Sequence, residues 1–348
     1  MEQQDLRNQR GEIEFRRLLV RQQVEGDQIF ADELGKDEMV RVLEERMRDT
    51  AATMRRLQAQ GVVLAPYLEI GAERGQRSLV MENDLGVHGA AADLSFDMLS
   101  SAAHWARAFE RPRMPLRLCC DVYNLPLRNG SLPFVFCYET LHHFPDPAPI
   151  LAEVHRVMSP GATFYVDEEP VRRALRQNVI RAPKTPGPNA NALQRLFHRG
   201  MRFFSEPAYN ELEYGIIENH SISIGEWRRQ FSIFDQADMT LSTLGDRARA
   251  ALRGATNPLG WTLNYLVGGK VGGLCRKTGG TGTPAATLED ALVCPVCVKA
   301  GLEPRLHAGP DAYTCEGCRA SYPVRDGVVF LLAAAKRAEL YPELATAS

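Results

Sequence analysis

The sequence predicts an α/β fold: a parallel sheet with crossover helices, preceded by a helical segment and followed by a small cysteine-rich module. Three observations carry this reading. From residue 62 onward, short apolar runs alternate with stretches of helical pattern, which is how parallel strands joined by helices are written in a chain. The first run, residues 62–70, ends in Glu69 and a glycine-punctuated turn, Gly71-Ala72-Glu73-Arg74-Gly75. Near the other end, Cys294 and Cys297 form one close pair and Cys315 and Cys318 a second.

In chain order, residues 1–60 are rich in Arg, Glu, Gln and Leu and contain no proline. Ile13, Leu18 and Leu19, then Met39, Val40, Leu43 and Met47, recur at helical spacing, so two or three amphipathic helices are expected as an N-terminal helical cap. The α/β domain is expected over 61–277, with apolar runs at 62–70, 87–94, 116–120, 134–138 and 162–166. Helical patterns fill 95–109 and 147–158, the latter begun by Asp146-Pro147 and stopped by Ser159-Pro160-Gly161. Residues 170–230 break the rhythm with Pro183, Pro186, Gly187 and Pro188, and an insertion this late in an α/β domain is expected to cover a ligand crevice at the strand ends. Residues 231–244 and 271–276 read as closing strands. The Thr/Gly-rich stretch within 278–290 reads as a linker to a module at 291–332.

Composition narrows the function classes. A 45% hydrophobic and 24% charged chain of 348 residues is that of an ordinary globular protein. The net charge of -2 speaks against a dedicated nucleic-acid surface. The polar N-terminus and the short longest apolar run, 328–335, point to a cytoplasmic protein with no membrane segment. Cys119, Cys120, Cys137 and Cys275 are scattered through apolar segments and read as inert buried thiols. The paired cysteines are different. Cys294, Cys297, Cys315 and Cys318, with 17 residues between the pairs, have the spacing of a four-thiolate structural zinc site. A module of about 40 residues buries too little apolar surface alone, so the metal would supply much of its folding energy.

Strand, glycine turn and helix N-terminus together make a nucleotide-binding corner, because unpaired N–H groups and the helix dipole face whatever lies over the turn. Gly71 and Gly75 supply left-handed backbone there. Asp93 follows Gly71 by 22 residues, at the end of the second run, where an ionised carboxylate can accept both hydroxyls of a ribose. Asp121 follows the third run, within reach of an adenine amino group.

The ordered set resembles the class I S-adenosylmethionine-dependent methyltransferases of the small-molecule type. The residues that carry the resemblance are Leu68-Glu69-Ile70-Gly71-Ala72-Glu73-Arg74-Gly75, Ala92-Asp93-Leu94-Ser95, Asp121-Val122-Tyr123-Asn124, Tyr138-Glu139-Thr140-Leu141-His142-His143 and the segment around Ser159-Pro160-Gly161. The resemblance implies a Rossmann-like seven-stranded sheet with an antiparallel last strand at 271–276. It implies Glu69, Gly71 and Gly75 at the methionine and ribose end of the cofactor, Asp93 on the ribose, Asp121 and Val122 on the adenine, and Tyr138 beside the sulfonium. This chain departs from the pattern at Glu73, where the family has its middle glycine, at Pro133 in place of an acid in the fourth strand, and at Ala162. Separately, Leu292-Val293-Cys294-Pro295 with Tyr322-Pro323-Val324-Arg325-Asp326-Gly327 resembles the Trm112-type zinc ribbon, which in that family accompanies methyltransferases as a partner or a fused piece.

His142 and His143, after the fourth strand, and His220, in the covering insertion, are the candidate catalytic residues for a small-molecule acceptor methylated at O, N or C. Asp167, Glu168 and Glu169 put three carboxylates at the end of the fifth strand. Three other readings stay open. A nicotinamide dehydrogenase would share the glycine turn and the ribose acid, but does not account for Asp121 or the Pro160-Gly161 segment. A non-catalytic adaptor would recruit a protein partner through the ribbon. A tRNA or protein methyltransferase would use Arg195, Arg199 and Arg202 as phosphate contacts.

Overall fold

The computed structural model describes residues 2–31, 33–172, 181–183, 191–195, 197, 206–208, 213–217, 219, 222–242 and 269–345. Two long helices open the chain, α1 (Glu2–Val20) and α2 (Lys36–Ala59), joined through a π turn at Arg21–Glu25. In α2, Met39, Leu43, Met47, Met54 and Leu57 form the buried stripe that the helical spacing anticipates. Leu43 meets Leu79 and Trp105, and Phe15 and Leu19 of α1 meet Met98, so both helices lie on one layer of the α/β domain.

The domain follows as β1 (Tyr67–Ile70), α3 (Gln76–Asp84), β2 (Gly89–Asp93), α4 (Phe96–Ala108), β3 (Leu116–Cys120), β4 (Leu132–Tyr138), α5 (Ala148–Val157) and β5 (Met158–Val171). After the insertion come α6 (Ile224–Phe231), β6 (Gln236–Ser242) and β7 (Gly269–Arg276). Strands β1 to β5 are parallel, β7 runs antiparallel to β5, and β6 pairs antiparallel with β7. The antiparallel strand expected at 271–276 is therefore present, and the first apolar run contributes only its last four residues to the sheet. Residues 231–244 do not form one strand. Phe231 ends α6, which is started by a reciprocal cap between Ser223 and Glu226, and among the described residues of this stretch Gln236–Ser242 is extended. Pro133 sits where the β4–β5 register shifts, as expected for a residue with no N–H to offer the ladder.

The expected seven-stranded count is exceeded. The C-terminal module supplies α7 (Leu288–Ala291), α8 (Pro295–Lys299), β8 (Leu306–Ala308), β9 (Ala312–Cys315), β10 (Ser321–Arg325) and β11 (Val328–Leu331). β11 pairs in parallel with β3, Val328 opposite Arg117 and Leu331 opposite Cys120, which makes one eleven-stranded sheet in the order β8-β9-β10-β11-β3-β2-β1-β4-β5-β7-β6. The edge of β3 that a seven-stranded sheet would leave open is thus covered by the chain itself. The segment before the module is packed as well: Ala285 N–H donates to Ser131 O at 2.8 Å. Two short helices, α9 (Ala334–Leu340) and α10 (Pro342–Ala345), end the described chain.

The sheet divides two cores. On one face Leu68, Val135, Cys137 and Phe164 pack with α5, with Trp227 and Phe231 of α6, and with Leu292, Cys294 and Tyr322 of the module. On the other, Tyr67, Phe134, Phe136, Tyr138 and Tyr165 pack under Met54 and Leu57 of α2 and Met81 of α3. Among the described residues no helix is long and apolar enough to cross a membrane.

Candidate active site

All the parallel strands end on one edge, and the turns at that edge carry the residues singled out above. After β1 the chain turns with Gly71 at φ 64° and Gly75 at φ 65°, both left-handed. A Cβ on Gly71 would lie 2.4 Å from Thr140 Oγ1, so glycine is needed there to let the end of β4 approach the corner. Glu69, almost fully buried, accepts from Ser78 N at 3.0 Å and from Ser78 Oγ at 2.6 Å, which ties β1 to the first turn of α3. Burial raises its carboxyl to about 7, and Arg77 and the Ser78 bonds only partly oppose that.

Glu73, at the position where the resemblance has a glycine, adopts φ 48° and turns its carboxylate to three guanidinium groups. Arg16 of α1 lies 2.9 Å away, Arg74 3.2 Å and Arg46 of α2 3.6 Å. Burial would push this carboxyl up, but Arg74, Arg16 and Arg46 outweigh it and hold it well below the usual carboxylate range. The N-terminal helices are therefore pinned to the glycine corner by charge as well as by apolar packing. Arg74 itself is buried and reaches Gln23, in the π turn after α1.

The next two strand tips hold Asp93 and Asp121. Asp93 Oδ2 accepts the Glu73 N–H and Oδ1 the Ser95 N–H, both at 2.8 Å. Each oxygen keeps a second lone pair, so the carboxylate can still take the two hydroxyls of a ribose. Burial raises it to about 6 against the two N–H bonds. Asp93 pairs with Cys119 across β2 and β3, which puts Asp121 two residues beyond its register on the adjacent strand. Asp121 Oδ1 accepts the Tyr123 N–H at 3.0 Å, starting the 3-10 turn Val122–Asn124, and Oδ2 is joined by Lys336 of α9. Tyr341 is fully buried beside these tips. Its hydroxyl donates to Leu94 O at 2.5 Å and accepts the Phe96 N–H at 3.0 Å. The chain after the module thus forms one wall of the β2–β3 end of the crevice.

At the β4 and β5 tips, Tyr138 closes β4, with the Arg77 guanidinium 4.1 Å from its ring centroid. Glu139 and Glu168 follow at φ 49° and 69°, and Lys270 of β7 bridges them at 2.8 Å and 3.2 Å. Three non-glycine residues in left-handed backbone on three adjacent strand tips is a concentration of strain, on the order of 1–3 kcal/mol each, of the kind found where a surrounding site over-determines the backbone. Glu169 is fully buried and accepts the N–H groups of Thr140, Leu141 and His142 and the ring Nδ1 of His142 at 2.9 Å. Against burial, the His142 ring and these N–H groups lower its carboxyl. His143 Nδ1 meets Ile217 O at 3.2 Å, and the two imidazoles lie 4.2 Å apart. His220, Arg199 and Arg202 lie outside the described residues, as does most of the covering insertion; Arg195 is described and exposed.

In the C-terminal module the four thiols converge. Cys294, Cys297, Cys315 and Cys318 have Sγ atoms all within 4.8 Å of one another. The Cys294–Cys318 and Cys297–Cys315 separations are 3.6 Å and 3.9 Å. Tetrahedral ligation at about 2.3 Å puts sulfurs about 3.8 Å apart, so the cluster is compatible with a zinc site. Tyr322 OH lies 2.9 Å from Cys294 Sγ, a contact suited to steadying a thiolate. The other four cysteines are buried, and burial pushes Cys119 and Cys120 well up, as the reading of inert thiols expects.

Against known families, residues 68–166 match the family described as a methyltransferase domain. The chain carries a methyltransferase domain. No curated protein matches the chain. Among solved structures it is similar to the [4+2]-cyclase SpnF, at 14% identity over 78% of this chain and 95% of that one, with a TM-score of 0.45. It is also similar to phosphoethanolamine N-methyltransferase 2 of Haemonchus contortus, solved with phosphomonomethylethanolamine and S-adenosylhomocysteine (12% identity, 67% of this chain and 53% of that one, TM-score 0.43). A third is a complex between the Haloferax volcanii Trm112 methyltransferase activator and a methyltransferase (18% identity, 62% of this chain and 83% of that one, TM-score 0.37).

Several residues at these strand tips carry no signal in the sequence. Arg16 and Arg46 are two among the many charges of α1 and α2, and Lys336 and Tyr341 lie beyond the ribbon. None carries a local motif. Only Glu73, an acid where a glycine is usual, hinted that cations would be needed nearby.

Proposed function

We propose that this protein transfers a methyl group from S-adenosylmethionine to a small-molecule acceptor at the edge formed by β1, β2, β3 and β4. The observation that carries the reading is the corner itself: left-handed Gly71 and Gly75, with the Asp93 carboxylate anchored on the N–H of the same turn and able to accept two more hydrogen bonds. Glu69, Gly71 and Gly75 would hold the methionine end, Asp93 the ribose hydroxyls, Asp121 and Val122 the adenine, and Tyr138 the region of the sulfonium. The bound cofactor supplies an activated methyl group. The protein's own share is alignment, worth up to roughly 7–11 kcal/mol in favourable cases, and removal of a proton where the acceptor carries one.

For the proton, His142 is the residue of choice. Glu169 accepts from its Nδ1, which fixes the tautomer and leaves basicity at Nε2. His143 would orient the acceptor from the neighbouring ring, and His220 would act from the covering insertion. Cys294, Cys297, Cys315 and Cys318 would hold a structural Zn2+ with no open position, so the metal takes no part in methyl transfer. The protein is expected in the cytoplasm.

A second reading is favoured by the occupants of the crevice. The Glu73 carboxylate held by three arginines, and Lys336 on Asp121, are what a methyltransferase-like adaptor would tolerate, its ribbon then recruiting a protein partner. Incubating the protein with methyl-labelled S-adenosylmethionine and a small-molecule fraction of cell extract separates the two. Label in a low-mass product supports the enzyme. Label in RNA or protein replaces the acceptor class, and no label in any fraction supports the adaptor.

A further inference from the structure

The first turn of α3 buries polar atoms that have no hydrogen-bond partner among the described residues. Arg77 is 4% exposed, yet it makes no hydrogen bond or ion pair among the described residues, and its Nε is buried without a partner. It rests on the ring of Tyr138, whose own hydroxyl is buried and unpartnered. Gln76, the residue before it, is fully buried with both amide atoms unpartnered. Almost all buried polar groups in proteins are paired, and an unpaired charge is the most expensive exception. Nearby carboxylates balance its charge only at a distance: Glu69 feels the guanidinium but hydrogen-bonds Ser78 through Oε2, and the carboxylate of Glu73 is held by Arg16, Arg46 and Arg74.

We propose that Arg77, with Gln76 and Tyr138, forms a binding site for the carboxylate of a small molecule at the first turn of α3. The planar guanidinium offers two parallel donors to a carboxylate, the Tyr138 hydroxyl and Gln76 amide add further donors, and the helix N-terminus favours negative charge. The carboxylate comes either from the amino-acid end of the cofactor or from the acceptor. In that choice the inference rests on the methyl-transfer reading, but the anion site itself does not.

The test uses the full chain, as wild type, Arg77→Met and Tyr138→Phe. Malonate is the probe of the site, compared with sodium chloride at matched ionic strength in thermal melts. Malonate is expected to raise the melting temperature of the wild type, on the order of 2 °C, and to leave Arg77→Met unmoved. Arg77→Met loses no hydrogen bond, only its contact with the Tyr138 ring and its attraction for Glu69, so it is expected to fold, and its malonate shift is read against its own melt without malonate. Tyr138→Phe, which removes only the unpartnered hydroxyl, folds as wild type and shows a smaller malonate shift. Titration with S-adenosylhomocysteine and with 5′-methylthioadenosine, which lacks the amino-acid end, then identifies the source. If Arg77→Met erases a preference of roughly tenfold or more for the former, the carboxylate is the cofactor's; if that preference survives, it is the acceptor's. Loss of the malonate shift in a protein that binds neither nucleoside keeps the anion site and removes the methyl-transfer reading. Malonate shifts that are absent, or equal in wild type and both variants, overturn the proposal and leave Arg77 a residue satisfied by water.

Discussion

Replacing Glu69 by Gln tests how the corner is built. The side chain is 1% exposed, and its carboxyl is raised from 4.5 to about 7, chiefly by burial. A group whose folded value lies above its unfolded one contributes stability that is fully present below pH 4.5 and lost as pH rises through 7. A shift of about 2.5 units corresponds to roughly 3 kcal/mol at 1.36 kcal/mol per unit. Gln keeps an oxygen for Ser78 N and Oγ but has no charge to bury. Urea unfolding at pH 5 and pH 8 should therefore show the variant gaining on the wild type by about 2.5 kcal/mol between the two pH values. Asp93, raised to about 6, adds a loss of the same sign that both proteins share. Parallel pH profiles for wild type and Glu69→Gln would mean that the carboxylate is solvated or fully paired, and would refute the account of the corner.

Gly71→Ala should cost about 2–5 kcal/mol, from left-handed backbone and from a Cβ 2.4 Å from Thr140 Oγ1, and Thr140→Ala should recover the packing part of it. An equal cost in both backgrounds, read by denaturant unfolding, would place the strain elsewhere. Purified protein should carry one zinc per chain by elemental analysis. Its removal by chelation should speed amide exchange in β3 as well as in the module, since β11 is paired with β3. Exchange confined to the module would show that the eleven-stranded sheet is not a cooperative unit.

What could be read in the sequence was what is local in the chain. Leu116–Cys120 and the antiparallel Gly269–Arg276 were legible because apolar runs with turn residues at their ends announce a strand wherever it pairs. The tips were legible for the same reason: Glu69, Asp93 and Asp121 each end such a run. The join between β11 and β3 was not, because Val328–Leu331 is an ordinary short apolar run whose partner is more than two hundred residues earlier. Nor was the clasp on Glu73, since Arg16 and Arg46 acquire their role only when α1 and α2 lie across the corner. His142 illustrates the limit most clearly. Its neighbours in sequence suggest a catalytic loop, while its geometry is set by Glu169, which also holds the turn together through three N–H groups.

The most direct measurement of the central claim is calorimetric titration of S-adenosylhomocysteine into the wild type and into Asp93→Ala. Binding to the wild type at one site per chain, lost in Asp93→Ala while the variant still melts in a single cooperative transition above the titration temperature, is the predicted result. No heat in the wild type, or equal affinity in both, would contradict it.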